Sequence, residues 1–213
     1  WERACENSKY PLEYFKVSVL SYNWLYEINK IKPHIILTKP GGISAAFKVL
    51  YDERLTILEK ELGYFCFPTL REVLFYENKK YLADWLVAND IPHPSTHVFY
   101  NKKEAFEWIE NAEFPLIGKT NIGASGSGII VLKDKNGGKE YITRAFSDKG
   151  LSRRSGPNID KGGIIKRGLN YIFSPSKIIH KLMKYKITDS EIQKGYVILQ
   201  EYIPHDFEWR VVR

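Results

Sequence analysis

The sequence predicts a two-part fold, α/β over residues 1–76 and α+β over residues 77–213, on three observations. Short β-rich apolar runs flank a helical pattern in the first part, as parallel strands joined by a crossover helix would. The rhythm changes at "ENKKYLADWLVANDIPHPSTHVFYN", where a helical stretch and an extended one are separated by two prolines. Finally, "FPLIGKTNIGASGSGIIVL" sets a glycine loop between two apolar strands.

In chain order, "HIILTKPGG" reads as a buried parallel strand ending in a Pro-Gly-Gly turn. "DERLTILEKELG" is a helix with Leu55, Leu58 and Leu62 on one face and Gly63 as its stop, and "YFCFP" is a second strand closed by Pro68. Asn78 is expected to cap the next helix, whose buried stripe is Tyr81, Leu82, Trp85 and Leu86, with Asn89 ending it in the left-handed conformation. Pro92 and Pro94 lead into a strand through "THVFY". Asn101, with Glu104 three residues on, starts the helix "KKEAFEWIENA" as a capping box would. "PLIGKT", "NIGASGSG" and "IIVLKD" are then strand, loop and strand. Residues 139–195 read as a basic insert, loop with short elements, in which Ser174 and Pro175 start an amphipathic helix. "GYVILQEYI" is a buried strand, and "DFEWRVVR" alternates.

Composition narrows the function classes. A chain of 213 residues that is 44% hydrophobic and 27% charged can bury a core and is not a disordered tail. No apolar run has membrane-spanning length, and "WERACENSKY" lacks a signal-peptide pattern, so a cytoplasmic location is the default expectation. The absence of an initial methionine points to a lost preceding segment. Cys5 and Cys66 form no disulfide framework or redox spacing. The net charge of +7 is concentrated: residues 139–186 hold 12 Lys and Arg against 3 Asp and Glu, while the remainder holds 20 against 22. A surface-wide nucleic-acid footprint is therefore not expected. His93 and His97 are separated by Pro94, which forbids the helix that would make them a metal pair. Trp85, Phe106 and Trp108 fall within helices, where packing accounts for them. "KPGG" has two readings, a cleft lining or a plain turn, and the Arg153–Arg154 and Lys166–Arg167 pairs have two, an acidic-ligand site or a solvated insert.

The chemistry centres on the glycine loop. A strand lysine, Lys119, offers a fixed charge to phosphate oxygens, and Gly123, Gly126 and Gly128 with Ser125 and Ser127 let backbone N–H groups approach. The plain alternative is a turn between strands. A Walker loop needs Gly-Lys-Ser/Thr after the glycines, whereas Ile129 and Ile130 follow here. A dinucleotide fingerprint leads into a helix, and a protein kinase puts its glycines before the lysine. In "QEYIPHDFEWR", Glu201 and the Tyr202–Ile203 backbone can meet an adenine edge, and Glu208 has the reach for a ribose hydroxyl pair. Glu208 and Arg210 share a strand face.

Taken together and in order, "ENKK…LADWLVANDIPHPST", "FPLIGKTNIGASGSGIIVL" and "VILQEYIPHDFEWRVV" resemble the ATP-grasp superfamily over about residues 77–213. The first echoes its Gly-Ile-Pro-x-Pro-x-Thr stretch, with Asp90 in place of the glycine. "IKPHIILTKPGG" and "LYDERLTILEKELGYFCFPT", within residues 1–76, resemble the preATP-grasp domain. Within the superfamily the chain looks closest to the branch of ribosomal-protein glutamate ligase and polysaccharide-associated ligases.

The resemblance implies Mg-ATP held between two α+β subdomains, phosphorylation of a substrate carboxylate, and attack on the acylphosphate by an amine, thiol or similar nucleophile. One lysine of the Lys79/Lys80 pair, with Lys79 favoured, becomes the first phosphate lysine and Lys119 the second, with residues 123–128 closing over the phosphates. Glu201, Tyr202 and Ile203 hold adenine, Glu208 the ribose, and Arg210 faces the transferred charge. The family's magnesium ligands follow the ribose glutamate, and the sequence stops at Arg213, so the expectation is an ATP-grasp domain incomplete at its C-terminus and inactive as it stands. Two other functions stay open, a polyanion-binding module built on the basic segment and an ATP-binding pseudoenzyme.

Overall fold

A computed structural model describes residues 1–39, 44–123, 127–153 and 191–205. The chain divides into two units, one from the described residues within Trp1–Pro40 and Val49–Val73, the other from those within Gly41–Lys48 and Leu74–Arg213.

In the first unit, α1 (Glu2–Glu6) and α2 (Trp24–Ile31) precede β1 (Ile36–Leu37). As the alternation of strands and helix predicts, β1 pairs in parallel with β2 (Cys66–Phe67), Ile36 opposite Cys66 and Leu37 opposite Phe67. The Ile36 and Thr38 N–H groups extend this ladder to the carbonyls of Phe65 and Phe67. Between the strands lies α3 (Ala45–Thr56), which runs on into a π turn at Ile57–Glu61. The first turn of α4 (Leu70–Phe75) closes the unit. Trp24, Ile28, Tyr51, Leu55, Leu58, Cys66, Leu70 and Val73 are its buried side chains. Burial pushes the Cys66 thiol up to about 11, which suits a core side chain rather than a redox group.

Two expectations for this helix are corrected. It starts at Ala45, upstream of Asp52, and Leu62 is 44% exposed instead of continuing the Leu55–Leu58 stripe. The π turn adds a residue to the repeat: the Leu62 N–H reaches Ile57 O, five residues back, which rotates Leu62 off the buried face. Gly63 follows at φ +69, as the expected stop.

The second unit is built on a four-stranded antiparallel sheet in the order β3 (Thr96–Phe99), β8 (Val197–Glu201), β4 (Leu116–Lys119), β5 (Ile129–Leu132). The last of the described strands thus lies inside the sheet. Alternation and register assign the faces. Leu116 stands opposite Glu201 and Leu132, and Phe99 opposite Val197; these positions share a face with Leu199. That face is covered by α6 (Lys102–Glu110) and α7 (Lys135–Ala145), whose Ala105, Ile109, Ile142 and Ala145 complete the core with Leu116, Leu132, Val197 and Leu199. The other face carries Ile117, Lys119, Ile198 and Gln200.

α5 (Lys79–Ala88) packs along β3. Asn78 caps it by accepting the Tyr81 N–H at 3.4 Å, as expected. Its end differs. Asn89 has φ −112 and binds Trp85 O through its side chain, and the left-handed residue is Asp90 at φ +51. Asn101 caps α6 through the Lys103 N–H. His97 stacks near Phe99 and Trp108, ring centroids 6.0 and 4.8 Å away.

The loop-like reading of the stretch from residue 139 is also corrected at its start. Lys139 lies within α7, paired with Glu110 of α6, and β6 (Leu151–Ser152) follows, antiparallel to β7 (Ile192–Gln193). Gly137 and Gly138 look like helix breakers in the sequence, but Gly138 is where α7 meets α6. A Cβ there would stand 2.2 Å from Cδ1 of the fully buried Ile109. The helix accepts a poor helix former because close packing requires it. The expected helix from Ser174 lies outside the described residues, as does the "PGG" turn.

Candidate functional site

Lys119 ends β4 on the sheet face away from α6 and α7, opposite Ile198 of β8 and Ile129 of β5. The hairpin beyond it is closed by Thr120, whose N–H donates to Gly128 O at 2.8 Å and whose hydroxyl donates to Ile122 O at 2.8 Å. This closure explains a glycine at 128: a Cβ there would lie 1.8 Å from Thr120 Oγ1. Gly123 takes φ +152, a conformation that side chains rarely adopt, and the Ser127 hydroxyl lies beside it.

The first residues of the loop are held by one buried side chain. Gln193 of β7 accepts the Asn121 and Ile122 N–H groups through Oε1 at 2.6 and 3.2 Å and donates Nε2 to Ile122 O at 3.1 Å. The Tyr196 hydroxyl donates to the same Oε1. Gln193 and Ile122 are both buried, so the loop leaves the sheet from a fixed base.

α5 brings its N-terminus to this base. The Lys79 ammonium donates to Gly123 O at 2.8 Å and to Asn121 O at 3.3 Å, and the Lys80 N–H donates to Asn121 Oδ1 at 2.9 Å. Glu77, in the left-handed region at φ +52, accepts the Gly123 N–H through its carboxylate. The neighbouring lysine diverges: Lys80 Nζ lies over the Tyr196 ring at 4.1 Å and the Tyr100 ring at 5.1 Å.

The electrostatics mark the same place. Burial is the main cause that holds the Lys79 ammonium below the usual lysine value, the charges of Lys119 and Arg153 add to it, and Glu77 opposes them. Lys119 is lowered by burial. Arg153, just after β6, is itself buried and not a solvated insert residue. Lys79 thus reaches the glycine loop through its ammonium, Lys119 ends the strand that leads into it, and the buried Arg153 comes near Gly123 with its Cδ.

Of the residues singled out in the sequence, Lys79, Lys119, Gly123, Ser127 and Gly128 come together here. Ser125, Gly126, Glu208 and Arg210 lie outside the described residues. Glu201, in β8, stands opposite Leu116 of β4, which lies about 10 Å along that strand from Lys119. Its carboxylate accepts the Ser95 N–H at 2.8 Å, and its own N–H donates to Ser95 O at 2.9 Å, so the side chain fastens β8 to the start of β3. Tyr202 and Ile203 follow, exposed. Sequence reasoning missed Glu77, Thr120, Asn121, Gln193 and Tyr196. Only Glu77 carried a local signal, as the acidic residue preceding a helix cap.

Among the described residues no group of three or more His, Cys, Asp or Glu side chains is placed to hold a metal ion. None of the described helices is long and apolar enough to cross a membrane.

No protein-family model matches the chain, and no curated protein sequence does. Among solved structures it is similar to an ATP-grasp RimK-domain protein from Sphaerobacter thermophilus, at 16% identity and a TM-score of 0.40, over 80% of this chain and 46% of that one. It is similar to the biotin carboxylase domain of Hydrogenobacter thermophilus 2-oxoglutarate carboxylase, a dimer in complex with MgADP, ADP and bicarbonate, at 12% identity and a TM-score of 0.43, over 84% of this chain and 30% of that one. A biotin carboxylase domain of a thermophilic 2-oxoglutarate carboxylase, bound to ADP without magnesium, gives 12% identity and a TM-score of 0.31, over 85% and 31%. The chain spans less than half the length of each of these.

Proposed function

We propose that the chain is the ATP-binding part of an ATP-grasp ligase, which activates a carboxylate as an acylphosphate and joins it to an amine, thiol or similar nucleophile. One observation carries this reading: Lys79, at the start of a helix, donates to Gly123 O in the glycine loop, and Lys119 ends the strand that leads into the same loop. The two ammonium groups bind the ATP phosphates, the carbonyls of Asn121 and Gly123 holding Lys79 ready meanwhile. Residues 123–128 fold over the phosphates. The Tyr202–Ile203 backbone meets the adenine edge, with Glu201 fixing the strand end that presents it. Glu208 takes the ribose, and Arg210 stabilises the charge on the transferred phosphoryl group. Residues 1–76 and 77–213 are the preATP-grasp and ATP-grasp domains in this reading, and the protein works in the cytoplasm. No ligand cluster for magnesium stands among the described residues.

The lysines provide a test with two opposite signs. Only a charged ammonium grips phosphate, so ATP affinity is highest below the lowered Lys79 and Lys119 values and falls as pH rises through them towards the ordinary lysine value. Over the same interval the unfolded chain keeps protons that the folded chain has released, so the stability of the ligand-free protein rises. Calorimetric ATP titrations and denaturant melts across an alkaline pH series are expected to show these opposed trends. ATP affinity that stays level or rises across the series contradicts the reading.

A further inference from the structure

Glu77 stands one residue before the cap of α5, and its backbone takes φ +52, a region that few residues with a side chain enter. The ligase reading leaves it without a role, yet it touches the glycine loop directly. Its carboxylate accepts the Gly123 N–H at 2.5 Å. Two residues on, the Lys79 ammonium donates to Gly123 O at 2.8 Å. Residues 77–79 therefore hold this glycine by its N–H and by its carbonyl at once. Gly123 is buried, so its N–H requires an acceptor at all times. An ammonium and a loop N–H are also the donors that the reading above offers to a phosphate. Here both are engaged by the chain's own oxygens, and the one on the N–H carries a negative charge, as a phosphate oxygen would. The Glu77 charge acts on Lys79 as well, favouring its protonated form.

We infer that Glu77 is an internal anion standing where a phosphate oxygen of the ligand binds, so that the ligand displaces it and its charge sets the affinity of the site. The inference rests on the ATP-site reading above and adds to it a residue that opposes binding. The exchange balances in hydrogen bonds. The Gly123 N–H passes from carboxylate to phosphate, the Lys79 ammonium from Gly123 O to phosphate, and the Glu77 carboxylate to water. A small anion gains little by such an exchange, whereas a polyphosphate makes several charge-assisted contacts together. Glu77 thereby selects for polyphosphate ligands.

The test is calorimetric titration of the full chain with ATP, inorganic tripolyphosphate and adenosine. Glu77→Gln keeps the length of the side chain and a neutral acceptor for the Gly123 N–H, and gives up the charge. It is expected to tighten ATP and tripolyphosphate by about fivefold or more and to leave adenosine within about twofold, because a neutral hydrogen bond is easier to displace than a charge-assisted one. A residue that merely braces the loop gives the opposite sign, since its loss weakens binding. Asp84→Asn makes the same charge change at an exposed position of α5 and is expected to stay within about twofold of wild type. ATP affinity in Glu77→Gln that is unchanged or weaker overturns the inference, as does equal tightening in Asp84→Asn. If Glu77→Gln does not fold, Glu77→Asn decides by the same criteria, being neutral and tolerant of the left-handed region. Lys119→Met separates the two levels. If it loses ATP while Glu77→Gln does not tighten it, only the role of Glu77 falls. If neither wild type nor Glu77→Gln binds ATP, the ligase reading falls with it.

Discussion

Lys119→Met is expected to weaken ATP binding by between about tenfold and about 150-fold, the range for one lost hydrogen-bonded charge contact. It should do so without loss of stability. Lys119 is held below the usual lysine value by burial, so in the absence of ligand its charge is a desolvated liability on the sheet face it shares with Ile117 and Ile198. Methionine keeps the length and apolar surface of the stem and removes that charge. The melting temperature of the ligand-free variant should match or exceed that of wild type while ATP no longer raises it effectively. This separation of function from stability is what a binding lysine predicts and a purely structural lysine does not. If the intact protein has the ligase activity proposed above, the same variant should produce no ADP. Wild-type turnover would mean that Lys119 does not serve the phosphates.

Gln193→Leu is expected to destabilise the protein by about 3 kcal/mol or more, because several buried polar groups lose their partner together. The Asn121 and Ile122 N–H groups, the Ile122 carbonyl and the Tyr196 hydroxyl all converge on this one amide. Leucine fills a similar volume, so the loss comes from hydrogen bonding and not from a cavity. Gln193→Glu keeps the acceptor for both N–H groups and turns the contact with Ile122 O into repulsion, so it should fall between the two. Where Gln193→Leu still folds, ATP affinity should drop as well, since Asn121 supplies two of the contacts that hold the start of α5. Denaturant melts and titrations on the same preparations check both effects.

What the sequence showed of this site was local. Asn78 is visible as a cap because Asx side chains bind N–H groups two or three residues on. Lys119 stands out in the sequence as a lysine ending an apolar strand just before the glycines, and β4 does end there. The parallel β1–β2 pair and the antiparallel β4–β5 pair follow from strand periodicity and from what lies between the strands. The parts that stayed hidden are set by tertiary contact. Gly138 reads as a breaker until Ile109 is seen against it. Leu62 leaves its stripe because a π turn changes the repeat, which no heptad pattern shows. Gln193 and Arg153 reach the loop only through the pairing of β6 with β7, across a long stretch of intervening sequence. Glu201 shows the converse: the motif suggested a ligand contact, and the fold gives its carboxylate to the Ser95 N–H.

Lysine labelling of the full chain with an amine-reactive acetylating reagent, read by peptide mass spectrometry with ATP, with adenosine and without ligand, reports on the two ammonium groups themselves. ATP is predicted to protect Lys79 and Lys119, adenosine to protect neither, and Lys80, held over Tyr100 and Tyr196, to label alike in all three. Equal labelling of Lys79 and Lys119 with and without saturating ATP would contradict the central claim that these two ammonium groups hold its phosphates.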